Sequence, residues 1–348
     1  MELTNKEWKE FVMTKLFDIS GTITTNPSKL IEDGKTPRIT CAATNNGFEN
    51  TYKNIPTEKG CVITVDSATI GYVSYQAADF IATDHVEKIT MKGGGKISRY
   101  VGLFLVQSIT SSIDGKYGYG YKFSQSRIKK QKILLPVNDK GDEPDYAFME
   151  KYMKQKETEL LKQYKKQVSE LERVVPLSEK KWNGFEIGKL FKISAGKSKG
   201  LNHLQNVTKG GINYLGATNS NNGVLAYVQK VEQMTHKGNS ICFIRNGEGS
   251  MGFSVYKAEN FIATSDISVG YADFLNKYVG LFITTVADKV RGKYNFGYKR
   301  NETRLKKEKI LLPTDAKNEP DFAYMENYMK ALEREKIKQY LEYKYRDN

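Results

Sequence analysis

Apolar positions along this chain follow two rhythms. Short runs such as Cys61-Val62-Ile63-Thr64-Val65 and Ser240-Ile241-Cys242-Phe243-Ile244 are dense in β-branched and apolar residues. Each is followed by a small-residue turn and a further run ending in Phe-Ile-Ala-Thr. Such runs, bounded by turn residues, predict strands. Gly93-Gly94-Gly95 and Asn219-Ser220-Asn221-Asn222-Gly223 mark turns or loops, because Gly and Asn tolerate positive φ. Lys132-Ile133-Leu134-Leu135-Pro136 and Lys309-Ile310-Leu311-Leu312-Pro313 predict short strands stopped by proline. The second rhythm is helical. Tyr146, Met149, Met153, Lys156, Leu160, Gln163 and Gln167 alternate spacings of three and four, and a second stripe, Leu161, Tyr164, Val168 and Leu171, runs beside them. Phe322, Met325, Met329, Leu332, Lys336, Gln339 and Tyr343 repeat the pattern. This spacing predicts long helices with a coiled-coil seam. Pro144-Asp145 and Pro320-Asp321 set a capping Asp at each helix start. The seam residues expected to pair the two helices are Met149, Met153, Leu160, Met325, Met329 and Leu332.

Both rhythms occur twice, in the same order. Trp8, Phe11 and Leu16-Phe17 recur as Trp182, Phe185 and Leu190-Phe191. Phe80-Ile81-Ala82-Thr83 recurs as Phe261-Ile262-Ala263-Thr264, and Tyr100-Val101-Gly102-Leu103-Phe104 as Tyr278-Val279-Gly280-Leu281-Phe282. The drifting offset implies short insertions in loops. A repeat this long is a duplicated domain rather than a solenoid unit. The predicted class is α+β: two mostly-β domains at 1–140 and 177–317, each followed by a long helix at 141–176 and 318–348, the helices pairing as an antiparallel coiled coil. Val174-Val175-Pro176-Leu177-Ser178 marks the boundary between the copies.

The 348 residues suffice for two domains, each with its own core. Lys and Arg number 54 against 40 Asp and Glu, a formal charge of +14. That excess points to a polyanionic partner, nucleic acid being the commonest. Cys41, Cys61 and Cys242 lack CxxC spacing and read as small hydrophobes in a reducing compartment. With His85, His203 and His236 they assemble no zinc site. No apolar leader and no long apolar run is present, so a cytoplasmic location without membrane association is expected.

Catalytic motifs are missing. Asn26-Pro27-Ser28-Lys29 stops short of the Asn-Pro-Pro-Tyr of amino-methyltransferases, and no Walker lysine loop or helix-opening GxGxxG occurs. The informative polar residues lie in loops. Arg245-Asn246-Gly247-Glu248-Gly249-Ser250 offers a guanidinium suited to guanine and an amide suited to adenine. Its counterpart, Asp66-Ser67-Ala68-Thr69, lacks the Arg. Candidate readers are therefore Arg245, Asn246, Ser250, Asn219, Asn221, Ser67 and Thr69. A second matched segment interleaves bases with tyrosine: Lys116, Tyr117, Lys122 and Arg127 in the first copy, and Lys293, Tyr294, Asn295, Lys299, Arg300 and Arg304 in the second. It suits phosphate contact with stacking support.

Two copies of Trp-x-x-Phe-(x4)-Leu-Phe-x-Ile, a turn-rich β domain, a Lys-Ile-Leu-Leu-Pro exit and a long helix opening Pro-Asp resemble the specificity subunit of type I restriction–modification systems, and equally its type IIB relatives. The resemblance spans essentially the whole chain. It implies a non-catalytic DNA-specificity subunit whose two target-recognition domains each read half of a bipartite double-stranded target. It further implies paired helices that space the domains and dock methyltransferase subunits, two in number, with restriction subunits joining through them. S-adenosylmethionine would sit on the methyltransferase and no cofactor on this chain. The rival readings are a protein-interaction scaffold or inhibitor without sequence-specific DNA binding, and a self-contained nuclease or methyltransferase.

Overall fold

In the computed structural model the described residues are 2–118, 120–168, 174–207, 210–247, 249–295 and 297–346. They divide into two units, Met1–Lys162 and Gln163–Asn348, each with its own core.

The first unit opens with β1 (Trp8–Val12), the one-turn α1 (Met13–Leu16), β2 (Phe17–Gly21), β3 (Thr36–Ile39) and β4 (Phe48–Tyr52). It continues through β5 (Val62–Asp66), β6 (Val73–Gln76), β7 (Ile81–Ala82) and β8 (Val86–Met91). Then come α2 (Arg99–Ile113), α3 (Gln125–Lys130), β9 (Lys132–Pro136) and α4 (Tyr146–Val168), whose residues from Gln163 on belong to the second unit. An antiparallel sheet of order β2-β8-β5-β6 carries the core, and β4-β3-β7 forms a second sheet with β3 and β7 parallel. The hydrophobic run at 62–66 is continuous because β5 is central and buried along its whole length. β9 alternates instead: Ile133 and Leu135 point into the core while Leu134 faces out. It pairs antiparallel with β1, setting Trp8 opposite Pro136.

The second unit repeats this plan. Its strands are β10 (Trp182–Glu186), β11 (Lys192–Ala195), β12 (Ile212–Leu215), β13 (Val224–Val228), β14 (Thr235–His236) and β15 (Ser240–Ile244), then β16 (Ser254–Lys257), β17 (Phe261–Ala263), β18 (Ile267–Tyr271) and β19 (Lys309–Pro313). Its helices are α5 (Ile187–Leu190), α6 (Lys277–Ala287), α7 (Glu302–Lys307) and α8 (Phe322–Tyr345). The sheets run β11-β18-β15-β16 and β13-β12-β17-β14, and β10 pairs with β19. β14 is the added strand.

α2 and α6 lie close on the edge strands β6 and β16, and a glycine makes the approach possible in each. A Cβ built on Gly102 would lie 2.3 Å from the Tyr75 ring, and one on Gly280 would lie 2.3 Å from Tyr256. The Pro-Asp signals act as caps. Asp145 Oδ1 accepts from the Phe148 amide at 2.8 Å, and Asp321 Oδ1 from the Tyr324 amide at 2.9 Å. The second oxygens accept from Lys6 and Lys180, at 2.8 and 2.7 Å, tying each helix start to its own domain.

The seam assignment changes here. Met149 and Met325 are wholly buried in the cores of their own units, and Met153 and Met329 pack against those same cores. Only Leu160 and Leu332 of the six stay exposed. The first turns of both helices are thus consumed in holding each helix to its domain, and a heptad stripe does not say which surface it buries. On the other stripe, Tyr164 packs edge-on against Tyr340 at 5.9 Å, both within the second unit. Leu171 lies outside the described residues.

Candidate nucleic-acid interface

Each unit has a cleft in the same place, between the β5–β6 or β15–β16 turn and the segment following α2 or α6. The second cleft has a volume of about 1000 Å³ and is lined by Asn219, Asn246, Arg291, Tyr294, Asn295 and Lys299. The first, about 370 Å³, is lined by Asn45, Asn46, Tyr72, Asp114 and Tyr117 among others. The difference follows from turn length. Ser67 aligns with Arg245 and Gly71 with Gly252, so the second turn carries three additional residues. In the first unit the Asp66 carboxylate closes the short turn, accepting from the Ala68 and Thr69 amides at 2.7 and 3.2 Å and from the Thr69 hydroxyl. In the second, Gly247, Gly249 and Gly252 all have positive φ, which lets the longer turn stand open.

Beside each cleft stands a two-residue-bridged hairpin, Gly118 to Tyr121 and Asn295 to Tyr298. Its residues form a three-layer stack. The Tyr117 and Tyr121 rings lie 5.6 Å apart at 9°, with the Arg127 guanidinium 3.8 Å from the Tyr121 centroid. Tyr294, Tyr298 and Arg304 repeat it at 6.1 Å, 11° and 3.9 Å. Arg127 also donates to the Lys122 carbonyl and Arg304 to that of Lys299, at 2.6 and 2.7 Å. The stack is cationic and the same in both units. Lys116 and Lys122 are exposed on the first hairpin, as are Lys293 and Lys299 on the second. The inner tyrosines face the protein: Tyr117 donates to Gln131 at 3.2 Å, and Tyr294 donates to Glu308. Burial first, then the Glu308 carboxylate, pushes the Tyr294 hydroxyl well above the usual phenol range, so it remains a donor.

Several expected readers serve the fold instead. Ser67 is buried, donating to the His85 carbonyl at 3.0 Å and to Glu87 at 2.9 Å. Thr69 is tied to Asp66, and Ser250 is buried with its hydroxyl on the Ala217 carbonyl at 2.7 Å. Arg245 also donates to the Ser265 carbonyl and Asn221 to the Val224 carbonyl at 3.2 Å, as the copy of Asn221, Asn45, does to the Phe48 carbonyl at 3.4 Å, but one such bond leaves each side chain further donors. Arg300, expected at phosphates, is completely buried. Short polar side chains in turns are common turn-formers, so residue type alone does not separate readers from braces. Asn219, Asn246, Asn295 and Lys299 do come together in the second cleft, with Tyr294 at its wall.

The structure adds Asn45, Asn46 and Arg291. The first two belong to an Asn-Asn-Gly turn at 45–47 whose copy stands at 221–223, and the repeat itself was the signal. Both asparagines of each copy have positive φ. Arg291 gave little signal because it stands directly before the matched Gly292-Lys293-Tyr294, where the first copy has Asp114, so the repeat marks no shared basic residue there. Among the described residues no cluster of three or more His, Cys, Asp or Glu side chains could hold a metal ion. No helix among them is long and apolar enough to cross a membrane.

The chain is similar in sequence to known proteins. The model of the type I restriction modification DNA specificity domain matches twice, over residues 5–170 and 179–343. The chain belongs to that family, and its class is therefore that of restriction–modification subunits concerned with DNA sequence specificity. A curated relative, the type II restriction enzyme BgcI specificity subunit S.BcgI of Heyndrickxia coagulans, is 30% identical over 344 residues, 94% of this chain and 95% of the relative. Two solved structures are more distant. The type-I restriction-modification system S subunit from M. genitalium is 14% identical, with 98% of this chain and 93% of that one covered, at a TM-score of 0.45. The HsdS subunit from Thermoanaerobacter tengcongensis is 11% identical, with coverages of 95% and 91%, at a TM-score of 0.33.

Proposed function

We propose that this chain recognises a bipartite, asymmetric sequence in double-stranded DNA, each unit reading one half-site through its cleft, and that it docks methyltransferase subunits, and restriction subunits through them. On this reading the chain is non-catalytic, and S-adenosylmethionine binds the methyltransferase. The observation that carries it is the pairing of a constant frame with a variable cleft. The Lys–Tyr–Arg hairpins are alike in both units, as suits contact with a phosphate backbone that is the same everywhere. The clefts differ: Asn219, Asn246 and Arg291 supply amides and a guanidinium in one, Asn45, Asn46 and Asp114 amides and a carboxylate in the other. Arg suits guanine, Asn adenine, and Asp the cytosine amino group. The exposed Leu160 and Leu332, beyond the domain-bound starts of α4 and α8, are the positions left for helix pairing or docking.

The test is exchange of residues 1–140 for the matching domain of a relative with a different target, followed by footprinting of the assembled complex. One half-site should change and the other persist. A change in both halves, or no protected sequence with either chain, would overturn the reading.

A further inference from the structure

Behind the second cleft lies an ion pair that the first unit lacks. Arg300 is completely shut off from solvent, and its Nε and Nη2 donate to the two Glu308 oxygens at 3.1 and 2.5 Å. Its Nη1 donates to the Gly252 carbonyl at 3.0 Å and reaches the Phe253 carbonyl at 3.4 Å. The same Glu308 oxygen that receives Nε also accepts the Tyr294 hydroxyl. One guanidinium thus joins three segments: the end of the long turn, the aromatic hairpin and the entry to β19. At the matching positions the first unit has Phe123 and Gln131. There the Phe123 ring presses under Gly71, where a Cβ would lie 2.3 Å from it, and Tyr117 keeps its hydroxyl bond to Gln131. Both members of the pair differ together, and the tyrosine contact survives.

A buried ion pair is poor evidence for stability, since two desolvated charges offset much of their own attraction, and an apolar replacement is often as stable. The first unit is such a replacement, in the same fold. What distinguishes the second unit is its turn, longer by three residues and without the Asp66 brace. We propose that Arg300, held by Glu308, is a positioning residue for DNA recognition: it clamps the 245–252 turn so that Asn246 and the Arg291 side chain, stacked on Phe253 at 4.3 Å, face the cleft in one geometry. Specificity at the half-site read by the second unit then depends on a side chain that never touches DNA. This rests on the cleft being the reading surface.

The test uses the full chain assembled with its methyltransferase partner, and selection of bound sequences from a randomised duplex library. Arg300→Phe with Glu308→Gln transplants the first unit's solution and removes both charges together. Arg300→Lys keeps the charge and loses the fork. Both variants should keep a wild-type thermal transition and unchanged discrimination at the first unit's half-site. Discrimination at the second half-site should fall roughly ten-fold, the scale of one good base contact. Glu308→Asp alone, which leaves the guanidinium and a carboxylate facing each other, should retain most of it. The proposal is wrong if the folded double variant discriminates at both half-sites as wild type does. It is equally wrong if both half-sites weaken together. Asn246→Ala is the control: if it too changes nothing at either half-site, the reading cleft itself is misassigned.

Discussion

Asn246 donates one amide N–H to Asp266 at 3.1 Å, which leaves its oxygen and second N–H for the cleft. Arg291 stands exposed across from it on the same cleft. Lys116 and Lys293 differ from both in being equivalent positions, present in either unit and exposed in each. These differences separate two kinds of contact at the residue scale. Asn246→Ala or Arg291→Ala should relax the choice of base at one position, by about 1–3 kcal/mol of discrimination, with little change elsewhere. Lys116→Ala and Lys293→Ala should weaken binding about equally on all sequences, and each should reduce the log–log salt slope by about one. Affinity measured across salt, on matched and singly mismatched duplexes, checks both. A base-specific effect at the lysines, or a uniform one at Asn246, would reverse the assignment. This is also the scale at which the sequence is least legible. Ser67 and Ser250 look like donors on a turn, but fold inward onto carbonyls; Arg300 sits in a basic run, but its counter-charge Glu308 lies eight residues on and is recognisable only once α7 folds it back.

At the scale of elements far more is readable, because periodicity and capping are local. The buried strands, the Pro-Asp helix starts and the Lys-Ile-Leu-Leu-Pro strands stand where the pattern puts them. The partner of a helix face is not local information, which is why Met149 and Met325 are found in their own domain cores instead of on an outer seam. The caps give a stability test. Burial of Asp321 alone would raise its carboxyl pKa, but the Lys180 ammonium and the Tyr324 amide outweigh burial and hold it below the usual range. Asp145 is held down in the same way by Lys6 and the Phe148 amide. A depressed folded-state pKa gives stability that is present above the unfolded value and disappears as pH falls through the folded one. Asp321→Asn retains a capping oxygen and loses only the charge, so its deficit should be small at neutral pH and vanish in acid. Asp321→Ala loses the cap as well, costing about 0.5–2 kcal/mol, and a cap deficit should persist below the carboxylate range. Thermal melts of both variants from neutral pH down to about pH 3 decide it; a charge deficit that grows in acid would contradict the sign.

At the scale of the whole molecule the duplication is the governing fact, and the order of residues along the chain is enough to reveal it. The two units have separate cores, and the helices that close the two repeats, α4 of 23 residues and α8 of 24, extend beyond the turns buried in those cores, so helix length can be changed without altering either core. If the connector sets the gap between half-sites, lengthening α4 should widen that gap without altering either half. Each added residue extends a helix by about 1.5 Å, against about 3.4 Å per base pair. Four residues would add nearly two base pairs of length but turn the helix face by about 40°, confounding distance with phase. Seven residues advance the helix by about 10 Å, roughly three base pairs, and drift by only about 20° from register. The insertion belongs after Leu160, beyond the turns that Met149 and Met153 commit to the first core. Sequences selected by the lengthened chain, assembled with its methyltransferase partner, should keep both half-sites and show a gap wider by about three base pairs. An unchanged gap would mean that the domains are spaced by something other than this helix. Altered half-sites would mean that the readers are not independent of their connector.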